Sequence, residues 1–139
     1  MNSPNLKKIA FVMGTRPEVI KLYPLIRLFD EQFIEYIIIH TGQHHDYNLF
    51  LNFIKEFGIR EPDFSVASGH HSNTVDQFAE IMRAVGNILS HSSPSSVVVV
   101  GDTNSVSATA LAATKLRIPV IHIEAGLRSY DWRMQEEYN

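Results

Sequence analysis

Ile9-Ala10-Phe11-Val12-Met13-Gly14-Thr15-Arg16-Pro17-Glu18 decides the fold class of this chain. The segment opens on an apolar run with little in/out alternation. That is the pattern of a strand buried on both faces of a parallel sheet. Gly14 then allows a tight turn. Thr15 can cap a helix, Glu18 three residues on can complete the capping box, and Pro17 presets the dihedral of the first helical turn. A buried strand thus runs straight into a helix.

Outward from this unit the same alternation repeats. Apolar, β-branched runs recur at Tyr36–His40, at residues 97–100 and at Val120–Ile123, each read as a strand buried on both faces. Between them lie helical stretches. Residues 19–29 are apolar nearly all round and predict a deeply buried helix. Phe50, Phe53, Ile54 and Phe57 keep helical spacing, with Gly58 as the C-terminal cap. Val75, Phe78, Met82, Val85 and Leu89 form the stripe of a longer helix, which Thr74 and Gln77 would start with a capping box. Residues 105–114, rich in Ala and Ser, suit a helix packed close on the sheet. Residues 60–72 are irregular, with room for one short edge strand. The repetition implies an α/β domain: a doubly wound parallel sheet with right-handed crossovers.

Composition agrees and excludes other classes. A chain of 139 residues with 45% hydrophobic and 19% charged residues is of one-domain size and can bury a substantial core. With no cysteine, disulfide scaffolds, iron–sulfur clusters, thiol catalysis and cysteine zinc sites are excluded. The net charge of −3 argues against a non-specific nucleic-acid binder. No apolar run approaches the roughly 20 residues of a membrane helix, and residues 1–8 lack the apolar stretch of a signal peptide. A cytoplasmic protein is expected. Residues 128–139 are polar and stop without a closing element, so residues 1–139 are expected to form one domain of a longer protein.

Ligands of open α/β sheets bind outside the carboxyl ends of the strands, where three polar segments fall. In the first, Gly14 to Glu18, the open amides of a helix N-terminus attract an anion. Arg16 and Lys21, the latter about one turn on, add cations suited to phosphate. The segment reads equally as a well-capped helix with solvent-facing cations. It is neither a P-loop nor a Gly-x-Gly-x-x-Gly dinucleotide site. In the second, Gly101-Asp102-Thr103, Asp102 is either a helix N-cap or a carboxylate aimed at the crevice. In the third, His122-Ile123-Glu124-Ala125-Gly126-Leu127-Arg128, Glu124 emerges where folding needs no carboxylate. Asp102, Glu124 and one of Glu136 and Glu137 can converge on one crevice. Neighbouring carboxylates push their pKa values apart, which equips a site for proton transfer. Gln43-His44-His45-Asp46 follows the second strand, but adjacent histidines rarely chelate one ion. No metal is expected, and His44 is read as a polar lining residue. His70 and His71 are most simply exposed.

Together these residues resemble the N-terminal domain of the non-hydrolysing UDP-N-acetylglucosamine 2-epimerases, from Lys8 to Asn139. The resemblance rests on five segments in order: Gly14-Thr15-Arg16-Pro17-Glu18 with Ile20-Lys21, Thr41-Gly42-Gln43-His44, Gly101-Asp102-Thr103, residues 122–129, and Glu136-Glu137-Tyr138-Asn139. It implies one Rossmann-like half of a glycosyltransferase-B-like two-domain architecture, with the second, nucleotide-binding domain outside this chain. The activity implied is interconversion of UDP-N-acetylglucosamine and UDP-N-acetylmannosamine by elimination and re-addition of UDP. No cofactor is implied, and the full-length protein would be a homodimer. By position, Asp102, Glu124 and Glu136 match the carboxylates implicated in catalysis. Arg16 and Lys21 match basic residues near the nucleotide, the Gln43-His44 region matches part of an allosteric substrate site in some members, and Gly14, Thr15, Arg16, Lys21, Gln43, His44 and Arg128 are expected to bind substrate. Gln135 stands where the family commonly has Pro. Residues 67–71 depart from a basic, glutamine-containing segment tied to allosteric control in some members. The alternatives are a hydrolysing epimerase or glycosyltransferase of the same architecture, and a stand-alone nucleotide-sugar-binding module.

Overall fold

The computed structural model describes residues 8–42, 47–66 and 73–139. They form a five-stranded sheet in the order β3-β2-β1-β4-β5. The strands are β1 (Ile9–Met13), β2 (Tyr36–His40), β3 (Phe64–Ser65), β4 (Ser96–Val100) and β5 (Val120–Ile123), with helices α1 (Arg16–Glu31), α2 (Tyr47–Glu56), α3 (Thr74–Ser92) and α4 (Asn104–Lys115) between them. Every pairing is parallel: Ile9 lies opposite both Tyr36 and Ser96, and Val97 opposite Val120. The strand order reverses between β1 and β4, so the ligand crevice of this topology opens at their carboxyl ends.

Successive strand residues point to opposite faces, and each face builds its own core. Ala10, Val12, Ile37, Ile39, Val97 and Val99 pack against Ile81, Val85 and Leu89 of α3 and Val106, Ala108 and Ala113 of α4. Phe11, Met13, Ile38, Val98 and Val100 meet Val19, Leu22 and Ile26 of α1 and Phe50 and Ile54 of α2. This double burial explains the missing alternation in β1, β2 and β4.

Two burial expectations are corrected. β5 is not buried on both faces: it is an edge strand, and Ile121 is 47% exposed. Nor is α1 deeply buried all round. It buries a stripe of Val19, Leu22 and Ile26, while Ile20 and Leu28 face outward. Its apolar circumference exceeds the width of sheet available to cover it.

The caps follow local chemistry. Thr15 is the N-cap of α1, with both halves of the capping box to Glu18 in place. Gly58 takes φ +66°; its N–H bonds the Lys55 carbonyl while that of Ile59 reaches back to Ile54. This is the Schellman arrangement that closes α2. At α3 the cap shifts by one residue from the expected Thr74. Asn73 accepts from the Asp76 N–H and donates back to its carboxylate, both at 2.9 Å. The irregular stretch after Arg60 does supply the short edge strand β3, paired with β2. His70 and His71 lie outside the described residues.

Candidate active site

The first loop is closed by a carboxyl group of its own. Glu18 is 4% exposed. Its Oε2 accepts from the Gly14 N–H at 2.5 Å and the Thr15 N–H at 3.0 Å. Its Oε1 accepts the Thr103 hydroxyl at 2.7 Å. Burial pushes the Glu18 pKa up, and these hydrogen bonds oppose the rise. The expected capping box is in place, and the Glu18 carboxyl group takes the Gly14 amide as well as that of Thr15. Arg16 is exposed, with its guanidinium over the Phe53 ring at 5.4 Å. Lys21 points instead toward the end of β5, where it forms an ion pair with Glu124.

The other loops converge from β4, β5 and the following segment. Gly101, at φ +84°, turns the chain out of β4, and its carbonyl lies 2.6 Å from His122 Nε2. Asp102 does not cap α4. Thr103 holds the N-cap position and makes no capping hydrogen bond with its side chain. The Asp102 side chain is left at the crevice, and its carbonyl accepts from Asn139 Nδ2 at 2.7 Å. Glu124 sits in the left-handed region at φ +60°. A β-strand end gives no local reason for such backbone strain in a glutamate.

The paired glutamates divide their work. The Glu137 side chain is 3% exposed. It accepts from Arg128 at 2.7 and 3.0 Å, and from the Ser129 N–H, the Ser129 hydroxyl and the Tyr130 N–H. Arg128 first, and these bonds with it, pull the Glu137 pKa down to about 2. Glu137 therefore fixes the loop of residues 128–137, and the short 3-10 turn Gln135–Glu137 places Glu136 and Glu137 together on the wall of a pocket beside the ends of β4 and β5. Gln135, where a proline was the family expectation, bonds Asn104 at 3.1 Å and ties this turn to α4.

The outcome is a pocket of about 230 Å³ whose wall includes Asp102, Glu124, Glu136, His122 and Arg128. The three candidate carboxylates thus share one cavity. Arg128 lines it too, with its guanidinium engaged by Glu137 and 5.9 Å from the Trp132 ring. Gly14, Thr15, Arg16 and Lys21 are not on the wall, though Lys21 reaches it through Glu124. Gln43 and His44 lie outside the described residues. Among the described residues no group of three or more His, Asp or Glu is placed to hold a metal ion. The contact of Glu18 with Thr103 and the Lys21–Glu124 pair have no signature in the sequence. The capping-box spacing accounts for half of the Glu18 contacts, and nothing local signals the rest.

The sequence pattern of the family described as UDP-N-acetylglucosamine 2-epimerase matches residues 27–139. The chain belongs to this family. A UDP-N-acetylglucosamine 2-epimerase of Methanocaldococcus jannaschii is 42% identical over 95% of this chain and 36% of its own length. A crystal structure of the enzyme from that organism, in complex with UDP-GlcNAc and UDP, superposes with a TM-score of 0.85, covering 95% of this chain and 36% of that one. A UDP-2,3-diacetamido-2,3-dideoxy-D-glucuronate 2-epimerase of Pseudomonas aeruginosa is 40% identical over 95% of this chain and 37% of its own length. The chain spans about a third of the length of these family members.

Proposed function

We propose that residues 1–139 form the N-terminal Rossmann-like domain of a non-hydrolysing UDP-N-acetylglucosamine 2-epimerase, one half of a two-domain enzyme whose active site lies between the halves. The observation that carries this reading is the single pocket holding Asp102, Glu124 and Glu136, with Lys21 paired to one of them.

Epimerisation at carbon 2 needs a base for a weakly acidic C–H and an acid on the opposite face of the same carbon. One carboxylate takes the carbon-2 proton as the C1–O bond to UDP breaks. The C–H electron pair becomes the C1=C2 double bond of 2-acetamidoglucal, and the C1–O pair leaves with UDP. Re-addition of UDP at C1 with a proton delivered to the other face gives UDP-N-acetylmannosamine. Glu124 is assigned the proton transfer, with Asp102 assisting and Glu136 on the adjoining wall. Arg16 and Lys21 supply charge for the departing diphosphate. The reading includes no cofactor, a homodimer and a cytoplasmic location. No helix among the described residues is long and apolar enough to cross a membrane.

The Pseudomonas aeruginosa relative favours a second reading, the same carbon-2 chemistry on a diacetamido uronate. Supplying both UDP-sugars to the full-length protein separates the two by which one is epimerised. In that protein Glu124→Gln abolishes epimerisation of UDP-N-acetylglucosamine while leaving its binding within a few-fold. Near-normal turnover would contradict the role given to Glu124.

A further inference from the structure

The crevice at the strand-order reversal is flanked by the loop after β1 and the loop after β4, and one side chain joins them. Glu18 gives one oxygen to the Gly14 and Thr15 amides and the other to Thr103, 85 positions away. A capping box alone needs only the first of these and leaves the second oxygen to water. Here the whole carboxylate is buried, which is costly unless it is well bonded. Thr103 stands at the N-cap of α4 without a side-chain cap, and its hydroxyl donates to Glu18 at 2.7 Å. The carboxylate then lies between the N-termini of α1 and α4, whose dipoles favour negative charge.

We propose that Glu18 and Thr103 form a clasp across the strand-order reversal, and that Glu18 is a positioning residue: it sets where the loop bearing Asp102 stands relative to the helix bearing Lys21. Asp102 immediately precedes Thr103, and Lys21 lies one turn beyond Glu18 and reaches Glu124. The clasp thereby fixes the spacing of two of the candidate carboxylates through the backbone without touching substrate. This inference rests on the epimerase reading.

The test uses Thr103→Val, which keeps the shape and removes the hydroxyl, beside Thr103→Ser, which keeps the hydroxyl. Both are made in the full-length protein and assayed with UDP-N-acetylglucosamine. A displacement of about 1 Å can cost on the order of 100-fold in rate. Thr103→Val is therefore expected to lower kcat about 10- to 100-fold with KM within about threefold, and Thr103→Ser to retain most of kcat. Amide hydrogen exchange over residues 101–104 should quicken in the Val variant and stay slow in the Ser variant. Wild-type kcat in Thr103→Val, or an equal fall in both variants, overturns the clasp. If the unaltered protein epimerises no UDP-N-acetylglucosamine, the functional reading fails by itself. The clasp then stands on the exchange contrast, and equal exchange in both variants overturns it. Should Thr103→Val not fold, Thr103→Ala against Thr103→Ser carries the same contrast.

Discussion

Lys21 and Glu124 form an ion pair that joins the second turn of α1 to the end of β5. The residue proposed to face phosphate and the residue proposed to move a proton therefore neutralise each other before any ligand arrives. Both side chains are about 40% exposed, so the pair is open to water and can exchange partners. A diphosphate arriving at the crevice competes with Glu124 for Lys21.

Lys21→Met removes the cation and keeps the stem packed on α1. We expect at least a tenfold fall in kcat/KM for UDP-N-acetylglucosamine, with the melting temperature little changed, because an exposed ion pair typically contributes about 0–1 kcal/mol. Steady-state kinetics beside a thermal melt checks this. Unchanged kcat/KM would remove Lys21 from the site.

Glu137 makes the loop of residues 128–137 acid-sensitive. Its folded pKa, about 2, lies below its ordinary value of 4.5. Its contribution is thus fully present above pH 4.5 and is lost as pH falls from 4.5 through about 2. Trp132, the only tryptophan of the chain, stands in this loop near Arg128. Its fluorescence in the 139-residue chain should change across that window, and Glu137→Gln should give the acid-like signal already at pH 7. A flat titration would contradict the clamp.

Glu18 works in the opposite direction. Burial raises its folded pKa above 4.5, so the native state holds the proton more tightly than the unfolded state. Stability from this group is full below pH 4.5 and declines as pH rises through the folded value. Urea unfolding between pH 4.5 and 7 should show a more negative slope of stability against pH in the unaltered protein than in Glu18→Gln. Parallel slopes would refute it.

The C-terminal cap of α2 offers a purely structural check. Gly58 has φ +66°, with nothing within 4 Å of where a Cβ would stand. Gly58→Ala should cost about 1–2 kcal/mol from backbone strain alone, read from the urea midpoint. Leu22→Ala, in the core between α1 and the sheet, should cost about 2–5 kcal/mol.

Elements whose causes are local were legible in the sequence. β1, β2 and β4 announce their double burial by unbroken apolar runs, and Thr15 with Glu18 announces the start of α1. Where two local solutions compete, the outcome turned on a neighbour: Asn73 displaces Thr74 as a cap because Asp76 completes the exchange of hydrogen bonds. What depends on position in the sheet was not legible. Val120–Ile123 is as apolar as a central strand, and only the strand order shows that it lies at an edge. The same holds for the site. Asp102, Glu124 and a glutamate of the 136–137 pair can be picked out by type and place, but the partners of Glu18 and Lys21 lie 85 and 103 positions away. That Arg128 engages Glu137, nine positions on, is likewise set by the fold of the loop and not by the sequence.

The most direct test is to incubate UDP-N-acetylglucosamine in heavy water with the full-length protein that carries this chain, and to follow carbon 2 by proton NMR. The account predicts deuterium at carbon 2 of both UDP-N-acetylglucosamine and UDP-N-acetylmannosamine, and loss of that exchange in Glu124→Gln. Epimer formation with the carbon-2 proton retained, or no exchange at all, would contradict proton transfer by the carboxylates gathered at this crevice.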